Sequence, residues 1–581
     1  MSKRITVEDV VRILDDLSLL VEMKGENPFK ARAYANAART LETLGEDLEG
    51  VIAQGRLSAL RGIGPAIAKK IEELAATGTM RYYEDLKASI PPGHFELLKI
   101  PGLGPKKIRL LYEKMGIETV GELEYAAREN LLLDLPGFGE RMRDKILEGI
   151  EAVKGYRERR LYPEALAEAE ALLGALRAAG LTDRVEMAGS LRRGRETVKD
   201  IDLLVATDEP VRPAALFASL PSVRAVTGRG DTKVSVRLQG GINADLRIST
   251  PGEFPFMLHH LTGSKGHNTA LRGRAKGLGI TMNEYGLFAG DRLIPCASEE
   301  EIFAALGLRF IPPELREDMG EIEAAAEGRL PDLVTEGDVR GLLHVHTRAS
   351  DGALEIEALV AEAKKRGYAY LGISDHSRSA AYAGGLDREA IKRQHDLIDA
   401  VNAAEGGAFH VFKGIEADIL PDGRLDYDDE ILAAFDFVIA AVHSHFTMSA
   451  EEMTRRVCRA LSHPLTTILA HPTGRLLLAR EPYAVDIRRV MDEAAARGVV
   501  LEINAHPQRL DLDWRHCLYA RRRGCLFAVN PDLHTREGFS YLRWGIMTAR
   551  KGWLEAKDLV NCLGTQELSA FFARRRAAAG L

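Results

Sequence analysis

Cysteine is scarce in this sequence, and its spacing follows no disulfide or metal-binding pattern. Five cysteines occur among 581 residues without a Cys-x-x-Cys pair, which argues against zinc fingers and disulfide frameworks. Long apolar runs are also missing, since no segment reaches the ~20 apolar residues that a membrane helix needs. The first residues are too acidic, and their apolar run too short, for a signal peptide. These absences predict a cytoplasmic protein with no membrane partner.

The sequence also lacks an excess of positive charge. Its formal net charge is −7, so the chain as a whole does not attract nucleic acid, and any contact with DNA must be local. Hydrophobic residues make up 46% of the chain, which is enough for several cores. A chain of this length is expected to fold into about three or four domains.

Three carboxylates in the second quarter of the chain are candidates for metal binding. Asp200 and Asp202 flank the start of an apolar run at residues 201–205, and alternation on a strand places both on one face. Such close carboxylates repel each other unless a cation lies between them. Asp245 belongs to another strand-like run. Three carboxylates on adjacent strands could hold two Mg²⁺ or Mn²⁺ ions for attack on a phosphate.

The turn before these carboxylates favours a metal site over a solvated strand end. An Asp-x-Asp pair by itself is commonly a solvated strand end. Here it follows Gly189-Ser190-Leu191-Arg192-Arg193-Gly194, a small turn that would offer backbone N–H and hydroxyl donors to a phosphate. Together with Asp245, these residues resemble the palm of the DNA polymerase beta-like family X polymerases. The resemblance implies that Asp200, Asp202 and Asp245 are catalytic and that Gly189, Ser190 and Arg193 bind the nucleotide triphosphate.

Three glycine turns in the first 150 residues predict contacts with the DNA backbone. Each has an apolar-Gly-apolar-Gly core before a predicted helix, and the glycine pairs are Gly62 and Gly64, Gly102 and Gly104, and Gly137 and Gly139. Such a turn exposes backbone N–H groups at a helix N-terminus, which suits a phosphate and carries no sequence information. Helix corners often need glycine, but a threefold recurrence favours DNA binding. The turns resemble helix-hairpin-helix motifs.

The first hairpin resembles the lyase domain of the polymerase beta-like family. Lys70 falls where a family lysine forms a Schiff base with an abasic sugar, and Lys30 and Tyr34 fall on other positions of that domain. The resemblance implies a weak 5′-deoxyribose-phosphate lyase activity, with Lys30 among the DNA contacts. Ala66 replaces a lysine that grips the 5′-phosphate in the family. The alternative is that Lys70 is an ordinary phosphate-facing lysine.

Residues 260–268 and 279–287 resemble the nucleotide-selection subdomain of the same family. The resemblance implies nucleotide contacts from Gly263, Ser264, Lys265 and Asn268. His260-Leu261 replaces an aromatic pair that lies against the sugar in the family, so exclusion of ribonucleotides is expected to be weaker.

The last 240 residues carry a second set of metal-ligand types. Short apolar strands alternate with helices, which predicts a parallel α/β fold of the barrel type. Catalytic residues in barrels gather at the carboxyl ends of the strands. Imidazoles and carboxylates recur at those ends: His344, His346, Asp351, His376, Glu416, His443, His445, His471, Asp532 and His534. A single His-x-His is weak evidence, but this recurrence predicts a multinuclear site for Zn, Mn or Fe.

This spacing resembles the polymerase and histidinol phosphatase (PHP) domain. The resemblance implies a seven-stranded distorted barrel with a trinuclear metal centre, in which all of these residues except His445 are ligands and Glu416 is the candidate for a bridging ligand. The intact set implies a working hydrolase.

The expected architecture is multidomain, combining α+β and α/β parts. It has N-terminal domains rich in helical hairpins, a nucleotidyltransferase palm and a C-terminal distorted (β/α)7 barrel. The predicted domains are a lyase-like helical domain (1–90), a DNA-binding helical subdomain (91–155), the palm (156–250), the nucleotide-selection subdomain (251–316), a linker carrying a helix (317–340) and the PHP domain (341–581).

The two chemistries together resemble bacterial family X polymerases that carry a PHP domain. The implied function is DNA-directed DNA synthesis that fills short gaps in repair, with 3′–5′ exonuclease and 3′-end or abasic-site processing in the barrel. The expected partners are gapped or nicked DNA, a primer-template and dNTPs, and the expected state is a nucleoid-associated monomer. The alternatives are a polymerase with a purely structural barrel, a non-catalytic DNA-binding scaffold, and a small-molecule nucleotidyltransferase, which would have no use for three hairpins.

Overall fold

The computed structural model describes residues 7–42, 48–60, 62–133, 135–154, 159–181, 184–380 and 383–578. The chain divides into two compact units. Unit 1 comprises residues 1–128 and 132–153, and unit 2 comprises residues 129–131 and 154–581. No helix among the described residues is long and apolar enough to cross a membrane.

Unit 1 is helical, as predicted. Its helices are α1 (Val7–Met23), α2 (Pro28–Glu42), α3 (Leu48–Ala53), α4 (Pro65–Thr77), α5 (Arg81–Ala88), α6 (Gly93–Leu97), α7 (Pro105–Met115), α8 (Val120–Arg128) and α9 (Glu140–Lys154). Helices α4 and α7 both begin with proline directly after the second glycine of a predicted hairpin. Proline is pre-organised for the first helical position. Both helices end at a glycine in the left-handed conformation, Gly78 or Gly116, which satisfies the last carbonyls.

The first part of unit 2 is a mixed α/β palm. Its elements are β1 (Arg160–Leu161), α10 (Tyr162–Ala178), β2 (Val185–Met187), α11 (Gly189–Arg192), β3 (Thr197–Val198), β4 (Asp200–Ala206), α12 (Val211–Ala218), β5 (Val223–Arg229), β6 (Lys233–Leu238) and β7 (Asn243–Ser249). The five-stranded sheet has the order β2-β4-β7-β6-β5. Strands β4 and β7 are parallel neighbours, so the two predicted carboxylate strands lie side by side.

A smaller α/β region follows. It contains α13 (Phe254–Thr262), α14 (Lys265–Gly277), β8 (Ile280–Met282), β9 (Leu287–Ala289), β10 (Arg292–Ile294), α15 (Glu299–Ala305) and α16 (Glu321–Ala326). Helix α16 is the helix predicted within the linker, and its buried residues pack with Leu271 and Phe303. The boundaries between the six predicted domains remain predictions.

The C-terminal part of unit 2 is the predicted barrel. Its strands are β11 (Gly341–Val345), β12 (Tyr370–Ile373), β13 (His410–Asp418), β14 (Phe437–Ala441), β15 (Thr466–Leu469), β16 (Val500–Asn504) and β17 (Phe527–Asn530). Its helices are α17 (Ile356–Lys365), α18 (Arg388–Glu405), α19 (Asp429–Leu432), α20 (Ala450–Leu461), α21 (Ile487–Arg497), α22 (Trp514–Arg522), α23 (Leu542–Lys551) and α24 (Thr565–Ala578). The strands follow one another in sequence order, and every neighbouring pair is parallel.

Two features place the chemistry at one end of the barrel. The segment after β17 returns to β11, where His346 N donates to Leu533 O over 2.8 Å, so the barrel is nearly closed. Helix α24 covers the amino ends of the strands, where Phe572 stacks on Phe437 with ring centroids 5.1 Å apart. The carboxyl ends, which carry the predicted ligands, are therefore at the opposite end.

Candidate active sites in the palm and the barrel

The palm brings its three carboxylates onto neighbouring strands. Asp200 and Asp202 are half-buried on β4 on either side of the fully buried Ile201, so both point to the same face. Asp202 is the direct register partner of Asp245 on β7. The structure therefore brings the predicted carboxylates together on two adjacent interior strands of the palm sheet.

The electrostatics of this cluster call for a cation. Burial, followed by the charges of Asp200 and Asp245, raises the pKa of Asp202 to about 6. The Lys233 ammonium lies 2.6 Å from Asp245 Oδ2 and offsets part of this repulsion. A divalent cation between carboxylates removes the same penalty more fully.

Gly189 lies directly against the metal-ligand candidate Asp202. A Cβ atom built on Gly189 would lie 2.0 Å from Asp202 Oδ2, and the residue has a φ of +64°. Both the space and the backbone conformation therefore require glycine. The requirement keeps the short helix α11, with half-buried Ser190, next to the carboxylates.

Arg193 is held by two contacts from the region after the palm. Its Nε donates to Glu317 Oε1 over 3.0 Å, and its Nη1 donates to the carbonyl of Thr262. Its side chain is only 13% exposed, so the guanidinium has a defined orientation beside the glycine turn.

The two predicted nucleotide-selection stretches meet in space. Ser264 caps helix α14 by accepting from His267 N over 3.2 Å, and Asn268 donates to His260 O over 2.8 Å. His260 lines a cavity of about 150 Å³ together with Glu284 and Tyr285. Other lining residues are Thr232, Arg247, Ile248, Glu253, Met257 and Leu261. Lys265 is exposed at the start of α14, beside Gly263.

The hairpin glycines divide into two kinds. The first glycine of each pair has a positive φ, +96° at Gly62, +89° at Gly102 and +85° at Gly137. The second glycines, Gly64, Gly104 and Gly139, have no positive φ, and a Cβ on them would meet no atom within 4 Å. The fold therefore requires the first glycine of each pair, while the second leaves the helix start open to a ligand.

The lyase candidates share one aromatic ring. Lys30 Nζ lies 4.7 Å and Lys70 Nζ 5.0 Å from the centroid of Tyr82. Lys30 is also hydrogen-bonded to Glu26 Oε2 and to the Tyr82 hydroxyl, and these bonds raise its pKa well above the usual value for lysine. Tyr34 stacks on Tyr82 with ring centroids 6.4 Å apart. A raised pKa disfavours the neutral amine that a Schiff base needs, so Lys70 is the better nucleophile candidate.

In the barrel, seven of the nine predicted ligands fall into clusters of the size that one metal ion needs. Each cluster has one ligand atom per residue, all within 4.8 Å of one another. The clusters are His346, Asp351, His376 and His534; His344, His346 and Glu416; and His376, Glu416 and His443. The other two ligands lie beside them, with Asp532 Oδ1 3.2 Å from His346 Nε2 and His471 Nε2 3.1 Å from Glu416 Oε1. The predicted ligands thus come from the carboxyl ends of six strands and converge on one site.

Glu416 occupies the centre of this convergence. Its Oε1 lies 3.2 Å from His443 Nε2, and its Oε2 lies 3.0 Å from His376 Nδ1. Each oxygen therefore faces a different group of histidines, which is the arrangement that a bridging carboxylate requires.

Many polar atoms in this site are buried without a hydrogen-bond partner. They are His344 Nε2, both ring nitrogens of His346, Asp351 Oδ2, Glu416 Oε2 and His471 Nδ1. Unpartnered buried polar atoms are rare because each costs about 1–3 kcal/mol. Their concentration on imidazoles and carboxylates that face one another fits bound metal ions. A metal ion would satisfy these ligand atoms in place of a hydrogen bond.

The site holds protons in the absence of metal. Burial disfavours a charged imidazole, but Glu416 and Asp418 outweigh it and raise the pKa of His443 to about 9. Burial also lowers the pKa of His534, but Asp351 and Asp532 outweigh this effect and raise it to about 10. Metal ligation requires neutral imidazoles, so binding would release these protons.

Several supporting residues escaped the sequence reasoning. Glu502 Oε1 lies 2.7 Å from His344 Nδ1, Asp418 Oδ1 lies 2.6 Å from His443 Nδ1, and Glu129 Oε2 lies 3.3 Å from His534 Nδ1. Such carboxylates orient ligand imidazoles. Of these three carboxylates, only Glu502 could have been recognised from the sequence, because it is a charged residue inside the apolar strand β16. His445 is exposed and belongs to none of the three clusters.

Four domain families match the chain in the order that this geometry suggests. A Helix-hairpin-helix domain matches residues 6–80, and a SAM-like Helix-hairpin-helix tandem matches residues 95–152. The DNA polymerase beta thumb matches residues 257–317, and the PHP domain matches residues 343–506. A hairpin-bearing polymerase of the beta type joined to a metal-dependent PHP barrel is the class that fold and sites define.

Similar proteins cover both the whole chain and its parts. The DNA polymerase/3′-5′ exonuclease PolX of Bacillus subtilis (strain 168) is 38% identical over 571 residues, 98% of this chain and 99% of that protein. A probable phosphatase of Syntrophotalea carbinolica is 30% identical over 28% of this chain and 64% of its own length. DNA polymerase lambda of Rattus norvegicus is 24% identical over 52% of this chain and 55% of its own length.

The chain therefore belongs to the family X DNA polymerases that carry a PHP domain. The function expected from the sequence, DNA synthesis in repair together with 3′–5′ exonuclease activity, is confirmed at the level of this family.

Proposed function

We propose that Asp200, Asp202 and Asp245 are the catalytic carboxylates of gap-filling DNA synthesis and hold Mg²⁺ or Mn²⁺. The observation that carries this proposal is the pairing of Asp202 with Asp245 on adjacent strands, with the Gly189 main chain pressed against Asp202. Metal ions bound there would supply a Lewis acid for phosphoryl transfer. The chain's own contribution is to hold primer end and triphosphate in line.

The nucleotide would lie between the glycine turn and helix α14. Gly189 and Ser190 offer small donors beside the carboxylates, and Arg193 supplies the cation for the triphosphate. Gly263, Ser264 and Lys265 form the start of α14 on the other side, where a helix N-terminus favours anions. Asn268 has a buried Oδ1 without a partner, which suits a contact with the incoming base.

A primer-extension assay on DNA with a one-nucleotide gap tests this assignment. The protein is expected to fill the gap with the complementary dNTP in Mg²⁺ or Mn²⁺. Conversion of Asp200 to alanine should remove this activity, and undiminished incorporation by that variant would refute the palm assignment. Ribonucleotides are expected to enter measurably, because His260-Leu261 lacks an aromatic wall beside the sugar.

The barrel is proposed to hydrolyse the terminal phosphodiester of a 3′ end. Its nine ligands are proposed to hold a trinuclear centre of Mn²⁺ or Zn²⁺, with Fe as the alternative. Glu502, Asp418 and Glu129 would keep the ligand imidazoles in place and fix their tautomers. The unpartnered buried atoms of the ligands support a working centre over a purely structural barrel.

The hairpins are proposed to hold gapped or nicked DNA through its backbone. Gly64, Gly104 and Gly139 leave three helix starts open, and Lys30 adds a cation in the first hairpin domain. Binding should carry no sequence preference and weaken steeply with salt. We further expect a monomer in the cytoplasm, associated with the nucleoid, which size-exclusion chromatography with light scattering and fluorescence microscopy would check.

A second candidate activity is 5′-deoxyribose-phosphate lyase with Lys70 as nucleophile. The shared Tyr82 ring places Lys70 beside Lys30, whose cationic charge would lower the cost of a neutral amine nearby. Borohydride should trap the protein on DNA with a 5′-deoxyribose phosphate, and Lys70→Ala should weaken the trapping. If no adduct forms, Lys70 is a phosphate contact only.

A further inference from the structure

A lysine of the barrel is buried at the edge of the polymerase site. Lys551 is the last residue of helix α23, and its side chain is fully buried. A buried ammonium is tolerated only where its protons find acceptors. Lys551 Nζ has three: Glu317 Oε1 at 2.6 Å, Arg193 O at 3.0 Å and Glu314 O at 3.3 Å. The Trp514 ring lies beneath it, with the centroid 4.5 Å away.

Two of these acceptors belong to the environment of Arg193. Lys551 binds the Arg193 main-chain carbonyl directly. It also binds Glu317 Oε1, the same oxygen that accepts from Arg193 Nε over 3.0 Å. Lys551 thus holds Arg193 at two points. It binds the Arg193 backbone carbonyl directly, and it holds the Arg193 guanidinium indirectly through the Glu317 carboxylate that both side chains share.

The rest of the turn is packed against the same two barrel helices. A Cβ on Gly194, which follows Arg193, would lie 2.9 Å from the Met547 Cγ of helix α23. Glu196 accepts from Trp514 Nε1 over 3.2 Å and from Arg515 Nη1 over 2.9 Å. Helices α22 and α23 therefore contact three positions of the segment that links the glycine turn to strand β4.

The charge of Glu317 is needed for this arrangement. It faces three cations, Lys551, Arg193 and Arg195, and these lower its pKa although burial opposes them, with Lys551 as the largest electrostatic contributor. Removing the ammonium would leave the carboxylate shared by the two arginines alone. The Arg193 guanidinium would then rely on its bond to the Thr262 carbonyl and on a carboxylate that is no longer fixed by Lys551.

We infer that Lys551 is a positioning residue of the polymerase reaction: it fixes the Arg193 backbone and the Glu317 carboxylate so that the guanidinium meets the nucleotide triphosphate in one orientation. The PHP barrel then contributes a part of the dNTP site in addition to its own chemistry. The inference rests on the proposed role of Arg193 in triphosphate binding.

The full-length Lys551→Met variant tests this inference, with Arg550→Met as the matched control. Arg550 is the neighbouring cation of α23 and pairs with Glu314 at 2.6 Å, without a contact to Arg193 or Glu317. The readouts are the Kd of a complementary dNTP on gapped DNA with a dideoxy-terminated primer, the KM and kcat of gap filling, and the 3′–5′ nuclease rate.

Lys551→Met should weaken dNTP binding by about tenfold, the typical value of one hydrogen bond to a charged group. Its nuclease rate should stay unchanged, and Arg550→Met should bind dNTP like the unaltered protein. A merely structural role predicts instead a lower kcat and a lower nuclease rate at unchanged Kd. An unchanged Kd in Lys551→Met, or an equal loss in Arg550→Met, would overturn the inference.

Three further variants keep the outcome decisive. Glu317→Gln keeps the side-chain shape but removes the negative charge that Lys551 and Arg193 share. It should weaken dNTP binding by about as much as Lys551→Met, and it tests the inference if Lys551→Met does not fold. The double variant should lose less than the sum of both effects, because both act through one pathway. Arg193→Ala distinguishes failure of the proposed function from failure of the inference about Lys551. If Arg193→Ala leaves the dNTP Kd unchanged, the proposed role of Arg193 in triphosphate binding fails. If Arg193→Ala weakens dNTP binding and the other variants do not, only the inference about Lys551 fails.

Discussion

Single residues of the palm carry charge that a close isostere can remove. Asp202→Asn preserves the side-chain shape but deletes the charge of a proposed metal ligand beside Asp245. Gap filling should fall by about 10²–10³-fold, the range seen when one preorganised electrostatic group is lost. Single-turnover extension of a gapped primer measures the effect. The 3′–5′ nuclease of the same preparation should be unchanged, and its parallel loss would indicate misfolding rather than a palm defect.

Two neighbouring histidines of the barrel give a matched test at the same scale. His443 lies 3.2 Å from Glu416 Oε1, whereas His445, two residues on, is exposed. His443→Asn should lower nuclease activity by about 100-fold and reduce the bound metal, since ligand loss weakens metal affinity at least as much as loss of a supporting residue. His445→Asn should retain both properties. Equal losses in the two variants would show that the cluster is misassigned.

At the scale of the element, the helix-hairpin-helix turn separates stability from DNA binding. Gly102 has a φ of +89°, and a Cβ there would lie 3.2 Å from Met142 Cε, so Gly102→Ala should destabilise unit 1 by about 1–2 kcal/mol. Gly104 has open space around it but is the N-cap of α7, where alanine is less favourable than glycine, so Gly104→Ala should cost at most about 1 kcal/mol. Its methyl group would instead obstruct a DNA phosphate at the start of α7.

Thermal unfolding and DNA titration at several salt concentrations measure the two effects. Gly104→Ala should lower the Tm of unit 1 less than Gly102→Ala does, and it should weaken binding of gapped DNA at every salt concentration because one phosphate contact is lost. Unaltered DNA affinity in this variant would place the backbone contact elsewhere.

At the scale of the whole molecule, the barrel metals should act as a stabilising ligand. Their predicted ligands come from six strand ends and meet only in the folded state, so binding adds directly to the free energy of unfolding. Mn²⁺ at 100 times its Kd should contribute about 2.7 kcal/mol. Differential scanning calorimetry with and without a chelator tests this, and elemental analysis should find more than one transition-metal ion per chain.

The palm provides the internal control for that experiment. His443→Asn should show a smaller chelator-induced drop in Tm, whereas Asp202→Asn should show the same drop as the unaltered protein. A chelator effect that follows the palm variant instead would mean that the stabilising metal is bound there.

The sequence by itself determined those features that depend on local pattern. The apolar runs that end in histidine or aspartate predicted a barrel with ligands at the carboxyl ends, since parallel strands bring their ends to one face. The alternation around Ile201 placed Asp200 and Asp202 together, because a strand repeats every two residues. The recurring glycine pairs predicted the starts of α4 and α7, because the turn before a helix is set by a few neighbouring residues.

Only the tertiary structure decided the contacts between distant segments. Lys551 at a helix end has the sequence signature of an exposed cation next to the last carbonyls, yet it is fully buried between Arg193 and Glu317. Glu502 meets His344 from a strand more than 150 residues away in the chain. Partners of this kind follow from how helices and strands pack, and no periodicity within one segment encodes which side chain a distant strand will present.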